Sequence, residues 1–213
     1  MVNQLIQKKD RPPIIKLESQ VVYETNILVE KKLQDGFTSL DYQRGLKNIN
    51  SLKVEYDNLA KLYINRDSIG SLVNIDRIKK LTDSLYYQGL QFLDNTLSLV
   101  QQLAVTDVGN IVSETGELEG QLESCNDVLK PIITERIAKN KKAMATIKEY
   151  NDRIDETLSQ AGLCKDSIRE IRLELPELLT YKSKDEYDKV VFELNTRIDF
   201  AQRVKEAYIK EGI

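Results

Sequence analysis

The chain has 213 residues and a formal net charge of −3, with 31% charged and 41% hydrophobic residues. It contains no histidine, which excludes Ser-His-Asp and Cys-His catalysis, histidine-ligated zinc and the usual general base near pH 7. The 9 glycines and 4 prolines are few, as is typical of long exposed helices and unlike a β-sandwich or a disordered tail.

Residues 1–13 form a short basic lead that ends in two prolines. This lead has no apolar stretch long enough for a signal peptide, so we expect a cytoplasmic protein. The first helix is predicted from about Ile14 to Leu33, and Asp35-Gly36 is a plausible C-terminal stop.

The second predicted helix is capped by Thr38 or Ser39 and reaches about Asn65. Its apolar residues recur at alternating spacings of three and four, which is the helical signature. The third helix is predicted from about Leu72 to Ala104. Its apolar face is so broad that we expect neighbours on more than one side, and we interpret it as the central helix.

A break is predicted at 106–110, and a fourth helix follows it. Pro131 interrupts the apolar seam of this helix, and the seam after the proline is shifted by one residue. Either a kink or a new helix that begins near Pro131 explains the shift. Asn140 and Asn151 lie in the second seam, where asparagines either fix the register of packed helices or are half-exposed. The fourth helix has a heptad-like seam: Ile111, Thr115, Leu118, Leu122, Cys125, Leu129 and Ile132.

Gly162 is predicted to end a helix, and a shorter helix follows that Pro176 either kinks or ends. The last helix opens with a capping box from Ser183 to Glu186. We find no strand pattern. The sequence therefore predicts an all-α protein, an elongated antiparallel helical bundle resembling a coiled coil, with six to seven helices and no sheet. Its predicted parts are the lead at 1–13, a main bundle at 14–162 and a C-terminal helical hairpin at 163–213 that packs on the bundle. The alternative is that these parts form one continuous domain.

Charge is segregated along the chain. Residues 81–129 contain eight acidic residues and no basic one, whereas residues 130–153 contain seven basic and three acidic residues. One interpretation is internal, with an acidic helix pairing with a basic helix. The other is that the acidic face recruits a basic partner protein or a second copy of the chain. Nucleic-acid binding is less favoured, because the basic residues are spread around their helix.

No motif for a nucleotide, a cofactor or a metal occurs, so we predict no enzyme activity, no cofactor and no metal. Cys125 and Cys164 lie on apolar stripes and are predicted to be small buried side chains, with a disulfide or a reactive thiol as the alternative. No window of about 18 residues is free of polar groups, so no transmembrane helix is expected.

The fourth helix carries glycines at positions that cost about 1 kcal/mol each relative to alanine. On a helical wheel, its small residues fall within an arc of about 80°, opposite the apolar seam. This stripe is predicted either to contact another helix closely, in this chain or in a partner, or to be bare. Tyr86-Tyr87 adds a weaker indication of association, because tyrosines with one wet end favour protein contacts. The candidate interaction face therefore comprises Gly109, Ser113, Gly116, Glu117, Gly120, Glu123 and Ser124, together with Tyr86 and Tyr87.

The predicted function is that of a non-catalytic interaction or scaffold protein, which binds partner proteins or self-assembles through its long helices and the acidic segment 81–129. The first alternative is a peripheral membrane-surface or membrane-remodelling protein, in which the basic lead contacts anionic lipid. The second alternative is a helical bundle with a ligand pocket or a carboxylate-bound metal ion.

Overall fold

The computed structural model describes residues 18–64 and 75–178, together with the isolated residues Lys189, Phe192 and Thr196. Within these residues it contains five α-helices and no strand, which confirms the all-α prediction. The helices are α1 (Glu18–Ser39), α2 (Gln43–Ile64), α3 (Ile75–Ala104), α4 (Val108–Ser124) and α5 (Lys130–Leu178). The basic lead at 1–13 and the capping box that starts at Ser183 lie outside the described residues.

Helix α1 does not stop at Asp35-Gly36 as predicted, and it continues to Ser39. Gly36 instead allows close packing, because a Cβ there would lie 2.5 Å from Leu97 Cδ2 on α3. The turn into α2 is made by Asp41 in the left-handed region, with φ 49°. Thr38 and Ser39 do not cap α2, because their hydroxyls donate to carbonyls of the preceding turn in α1.

Helix α5 is the longest element, with 49 residues and a length of about 73 Å. Pro131 is its second residue, so the shift of the seam marks the start of a new helix. The predicted helix end at Gly162 is wrong, and this merging of two predicted helices lowers the helix count. One interior glycine costs only about 1 kcal/mol, and the buried stripe of α5 runs past it through Leu158, Ala161, Cys164, Ile168 and Ile171. The predicted boundary between 162 and 163 therefore falls inside α5.

Helices α1, α2, α3 and the C-terminal half of α5 form an up-down-up-down bundle. Thr96 faces Thr157, and Gly89 faces Cys164, so α3 and α5 are antiparallel. Helices α2 and α3 contact each other, and each of them also contacts α1 and α5. Helices α1 and α5 do not contact each other within the described ranges. The bundle core contains Leu33, Phe37, Ile49, Leu52, Leu59, Ile78, Leu85, Tyr86, Leu90, Phe92, Leu93, Leu97, Leu99, Ile154, Leu158, Ala161, Cys164, Ile168, Ile171 and Leu175.

Helix α4 follows α3 after a three-residue break, and Asp107 caps it by accepting from the amide of Asn110 at 2.9 Å. Of the described helices, α4 packs only against α5. Residues 114–141, which we call the arm, thus form a two-helix extension beyond the bundle. The arm has its own small cluster, in which Leu118, Ile133 and Ile137 are buried and Leu122 and Cys125 are partly buried.

Candidate functional site

The stripe of small residues on α4 is open. A Cβ placed on Gly116 or Gly120 would meet no described atom within 4 Å, and one on Gly109 would meet only Asp107 Oδ1 at 3.7 Å. Close packing of another helix of this chain against the stripe is therefore not found within the described residues. All seven α4 members of the candidate face are exposed: Gly109, Ser113, Gly116, Glu117, Gly120, Glu123 and Ser124.

The opposite side of α4 packs on α5, with Thr115 and Leu118 buried. Charged pairs flank this contact on both edges. Glu114 forms an ion pair with Arg136, and its other carboxylate oxygen accepts from Asn140 Nδ2 at 3.2 Å. Glu119 pairs with Lys141 at 2.8 Å. Part of the segregated charge is therefore used inside the chain, as the internal interpretation predicted.

The two seam asparagines have different roles. Asn140 is half-buried and bridges to α4, which suits a residue that fixes the register. Asn151 is exposed, and its amide donates to the carbonyl of Ile147 in its own helix.

Two glutamates of α4 remain without an ion pair in the described part of the chain, Glu117 and Glu123. They lie beside the open stripe. Val108 and Val112 are 37% and 54% exposed on the flank between the stripe and the seam. The outward surface of α4 therefore combines free carboxylates, bare glycine backbone and two exposed valines.

Tyr86 and Tyr87 do not join the α4 face, because they lie on α3 within the bundle. Tyr86 is 1% exposed and stacks on Tyr56, with ring centroids 4.1 Å apart. Burial raises the pKa of Tyr86 above its ordinary value, and the neighbouring Glu30 raises it further. Tyr87 is 36% exposed. The structure thus places one tyrosine in the core and one at the surface, as two adjacent helical positions require.

Sequence reasoning missed a polar cluster between α1, α2 and α3. Lys53 of α2 forms an ion pair with Glu30 of α1, and Tyr56 donates to Asp83 of α3 at 2.7 Å. Asn26, one turn before Glu30, is 2% exposed, and neither polar atom of its amide has a hydrogen-bond partner among the described residues. The sequence does contain one indication of this cluster. Asn26 and Glu30 lie on the apolar stripe of α1, where polar residues are unexpected.

The described residues form no metal site, no disulfide and no membrane span. No group of three or more histidine, cysteine, aspartate or glutamate residues is placed there to hold a metal ion. Both cysteines are free, with Cys164 buried and Cys125 half-buried. No helix in the described ranges has the length and apolar character needed to cross a bilayer. The membrane-surface alternative depends on residues 1–13, which lie outside these ranges.

No protein-family model, no curated protein and no solved structure matches this chain.

Proposed function

We propose that this protein is a non-catalytic helical interaction protein that binds a partner through the outward face of α4. The partner is another protein or a second copy of this chain. The observation that carries the proposal is that Gly116 and Gly120 lie on an exposed helix face with no described atom within 4 Å.

The helix gains nothing from these glycines within the described chain. Each costs about 1 kcal/mol of helix stability relative to alanine, and no close internal contact compensates for that cost. A glycine surface does let another backbone approach closely. The cost is therefore explained if a partner helix lies against this face.

The charges define the chemistry of the partner. Glu117 and Glu123 border the stripe without ion pairs in the described part, and α4 contains no basic residue. We expect the partner surface to carry lysine or arginine beside small or apolar residues. A second copy could supply such groups through Lys139, Lys142 and Lys148, which are exposed on α5. Association through these charges weakens as salt rises, because exposed charges are screened.

The test uses bulky side chains at the two stripe positions, Gly116→Leu with Gly120→Leu. Gly162→Leu is the matched control, because a Cβ at Gly162 of α5 also meets no described atom within 4 Å. Circular dichroism first establishes that all variants remain folded. Sedimentation equilibrium at low and high salt then measures self-association, and quantitative affinity capture from the native cell extract measures binding of other proteins.

We expect the double variant to lose association while Gly162→Leu keeps it. Glu117→Lys with Glu123→Lys should weaken association at low salt in the same way. If the unmodified chain is monomeric and captures the same proteins as the double variant, the proposal is wrong.

A further inference from the structure

The chain has two hydrophobic clusters that do not merge. On the bundle side the last buried residues towards the arm are Leu99 on α3 and Ile154 on α5. On the arm side the first buried residues are Thr115 on α4 and Ile137 on α5. Between them α5 runs for about 25 Å without a fully buried side chain.

We call residues 101–113 and 142–153 the waist. They face each other, because Thr96 pairs with Thr157 at one end and Glu114 pairs with Asn140 at the other. No hydrogen bond or ion pair between these two described segments crosses the waist. Leu103 and Tyr150 at the bundle end of the waist pack against the bundle core. The apolar side chains of the waist that are not exposed are all half-buried: Leu103, Ile111, Ala143, Met144, Ile147 and Tyr150.

The two connections through the waist differ in secondary structure. The α3–α4 connection is broken at 105–107, so only α5 is a continuous helix there. Most helical stability in proteins comes from burial of one face against other elements, and short isolated helices are marginal in water. The waist segment of α5 is therefore the part of this helix that bends or opens at the lowest cost.

We propose that the arm moves as a rigid unit on the bundle, with the break at 105–107 and the waist segment of α5 as its hinge. The arm keeps its own packing and its ion pairs during this motion, because Glu114–Arg136 and Glu119–Lys141 both lie within it. The motion changes the direction in which the outward face of α4 points relative to the bundle. The hinge motion does not require a partner on that face.

Distances between spin labels test the hinge. Both native cysteines are first replaced by alanine in the full chain. One label pair joins the arm to the bundle, Gln121→Cys with Ser159→Cys, and a control pair lies within the bundle, Lys61→Cys with Ser159→Cys. All three label positions are exposed. We expect a broad distance distribution for the arm–bundle pair and a narrow one for the control pair.

A further pair of variants locates the hinge. Ala145→Gly lies in the waist and Ala138→Gly lies in the arm, and both alanines are exposed on α5. We expect Ala145→Gly to broaden the arm–bundle distribution further, because glycine loosens a helix segment that has no fully buried side chain to hold it. Ala138→Gly should leave the distribution unchanged.

Hydrogen exchange on the unmodified protein provides an independent measurement. Amides at 142–153 should exchange about tenfold or more faster than those at 155–175, because local opening costs less where few side chains are buried. Amides at 133–137 should be protected relative to the waist. An arm–bundle distribution as narrow as that of the control pair, or equal protection along α5, would overturn the proposal.

Discussion

The hydroxyl oxygens of Thr96 and Thr157 lie 2.8 Å apart at a buried level between α3 and α5. The Thr96 hydroxyl also lies 3.0 Å from the carbonyl oxygen of Phe92, one turn back in α3. The Thr157 hydroxyl lies 3.0 Å from the carbonyl oxygen of Arg153, one turn back in α5. The Thr157 hydroxyl also lies 3.1 Å from the carbonyl oxygen of Ile154. Two hydroxyls carry two protons, so these four contacts share two protons at any moment. The pair therefore joins the helices and leaves no buried hydroxyl without a partner.

Replacing either threonine by valine should reduce the free energy of unfolding by about 0.5–1.5 kcal/mol, because the hydrogen bond between the helices is lost. The remaining hydroxyl still donates to its own helix, so no larger penalty is expected. The double variant should cost less than the two single variants together. Urea denaturation of all four proteins measures this coupling. Strictly additive losses would show that the two hydroxyls do not interact.

The glycines of α3 and α4 should respond in opposite ways to substitution by alanine. A Cβ on Gly89 would lie 2.7 Å from Leu52 Cδ2 and 3.3 Å from the Cβ of Cys164. Gly89→Ala should therefore destabilise the fold by about 1–3 kcal/mol through overpacking. Gly116→Ala on the open stripe should instead stabilise the protein by up to about 1 kcal/mol through helix propensity.

Chemical denaturation of the two glycine variants under the same conditions measures this difference. A loss of stability in Gly116→Ala of the same size as in Gly89→Ala would mean that another part of the chain covers the stripe.

The periodicity of the sequence was enough to predict most of the helices but not where some of them end. Helix α3 ends at Ala104 as predicted, and Asp107 is the cap of α4 inside the predicted break. The predicted ends at Gly36 and Gly162 are wrong, because glycine plays three roles that local sequence does not distinguish. It terminates helices, it allows close packing, as Gly36 does against Leu97, and it occurs at open positions such as Gly162.

The candidate face was predictable in one respect only. A helical wheel places its α4 residues on the side away from the seam, and the structure leaves these residues exposed, whereas Tyr86 on α3 is buried. Whether anything covers a helix face depends on which elements become neighbours, and this is set by tertiary packing. For the same reason the pairing of Lys53 with Glu30 was not foreseen, because it depends on the relative register of α1 and α2.

Replacing Asn26 by leucine should stabilise the protein by about 1–2 kcal/mol. The amide is 2% exposed and has no hydrogen-bond partner within residues 18–64 and 75–178, so no contact there offsets the hydration that it loses on folding. Leucine there would extend the buried stripe that Leu33 and Phe37 continue along α1. Thermal and urea unfolding measure the change. Asn95→Leu at an exposed position of α3 is the control and should change stability little. A destabilised Asn26→Leu would show that the amide has a partner in solution.

Burial of Cys164 should make its thiol unreactive and link stability to alkaline pH. The side chain is 2% exposed, and desolvation raises its pKa from 9.0 to about 12. As pH rises from 9.0 to about 12, the unfolded chain releases the thiol proton while the folded chain keeps it. This group therefore lowers the free energy of unfolding by about 1.4 kcal/mol per pH unit there.

The measurement compares the unmodified protein with Cys164→Ala between pH 8 and pH 10. Burial also raises the pKa of Tyr63, from 10.0 to about 12, so the cysteine contribution is read as the difference between the two proteins. Stability of the unmodified protein should fall more steeply with pH.

A thiol reagent near neutral pH should modify half-buried Cys125 in the folded protein and Cys164 only after denaturation. Rapid modification of both thiols in the folded state would contradict the buried position of Cys164.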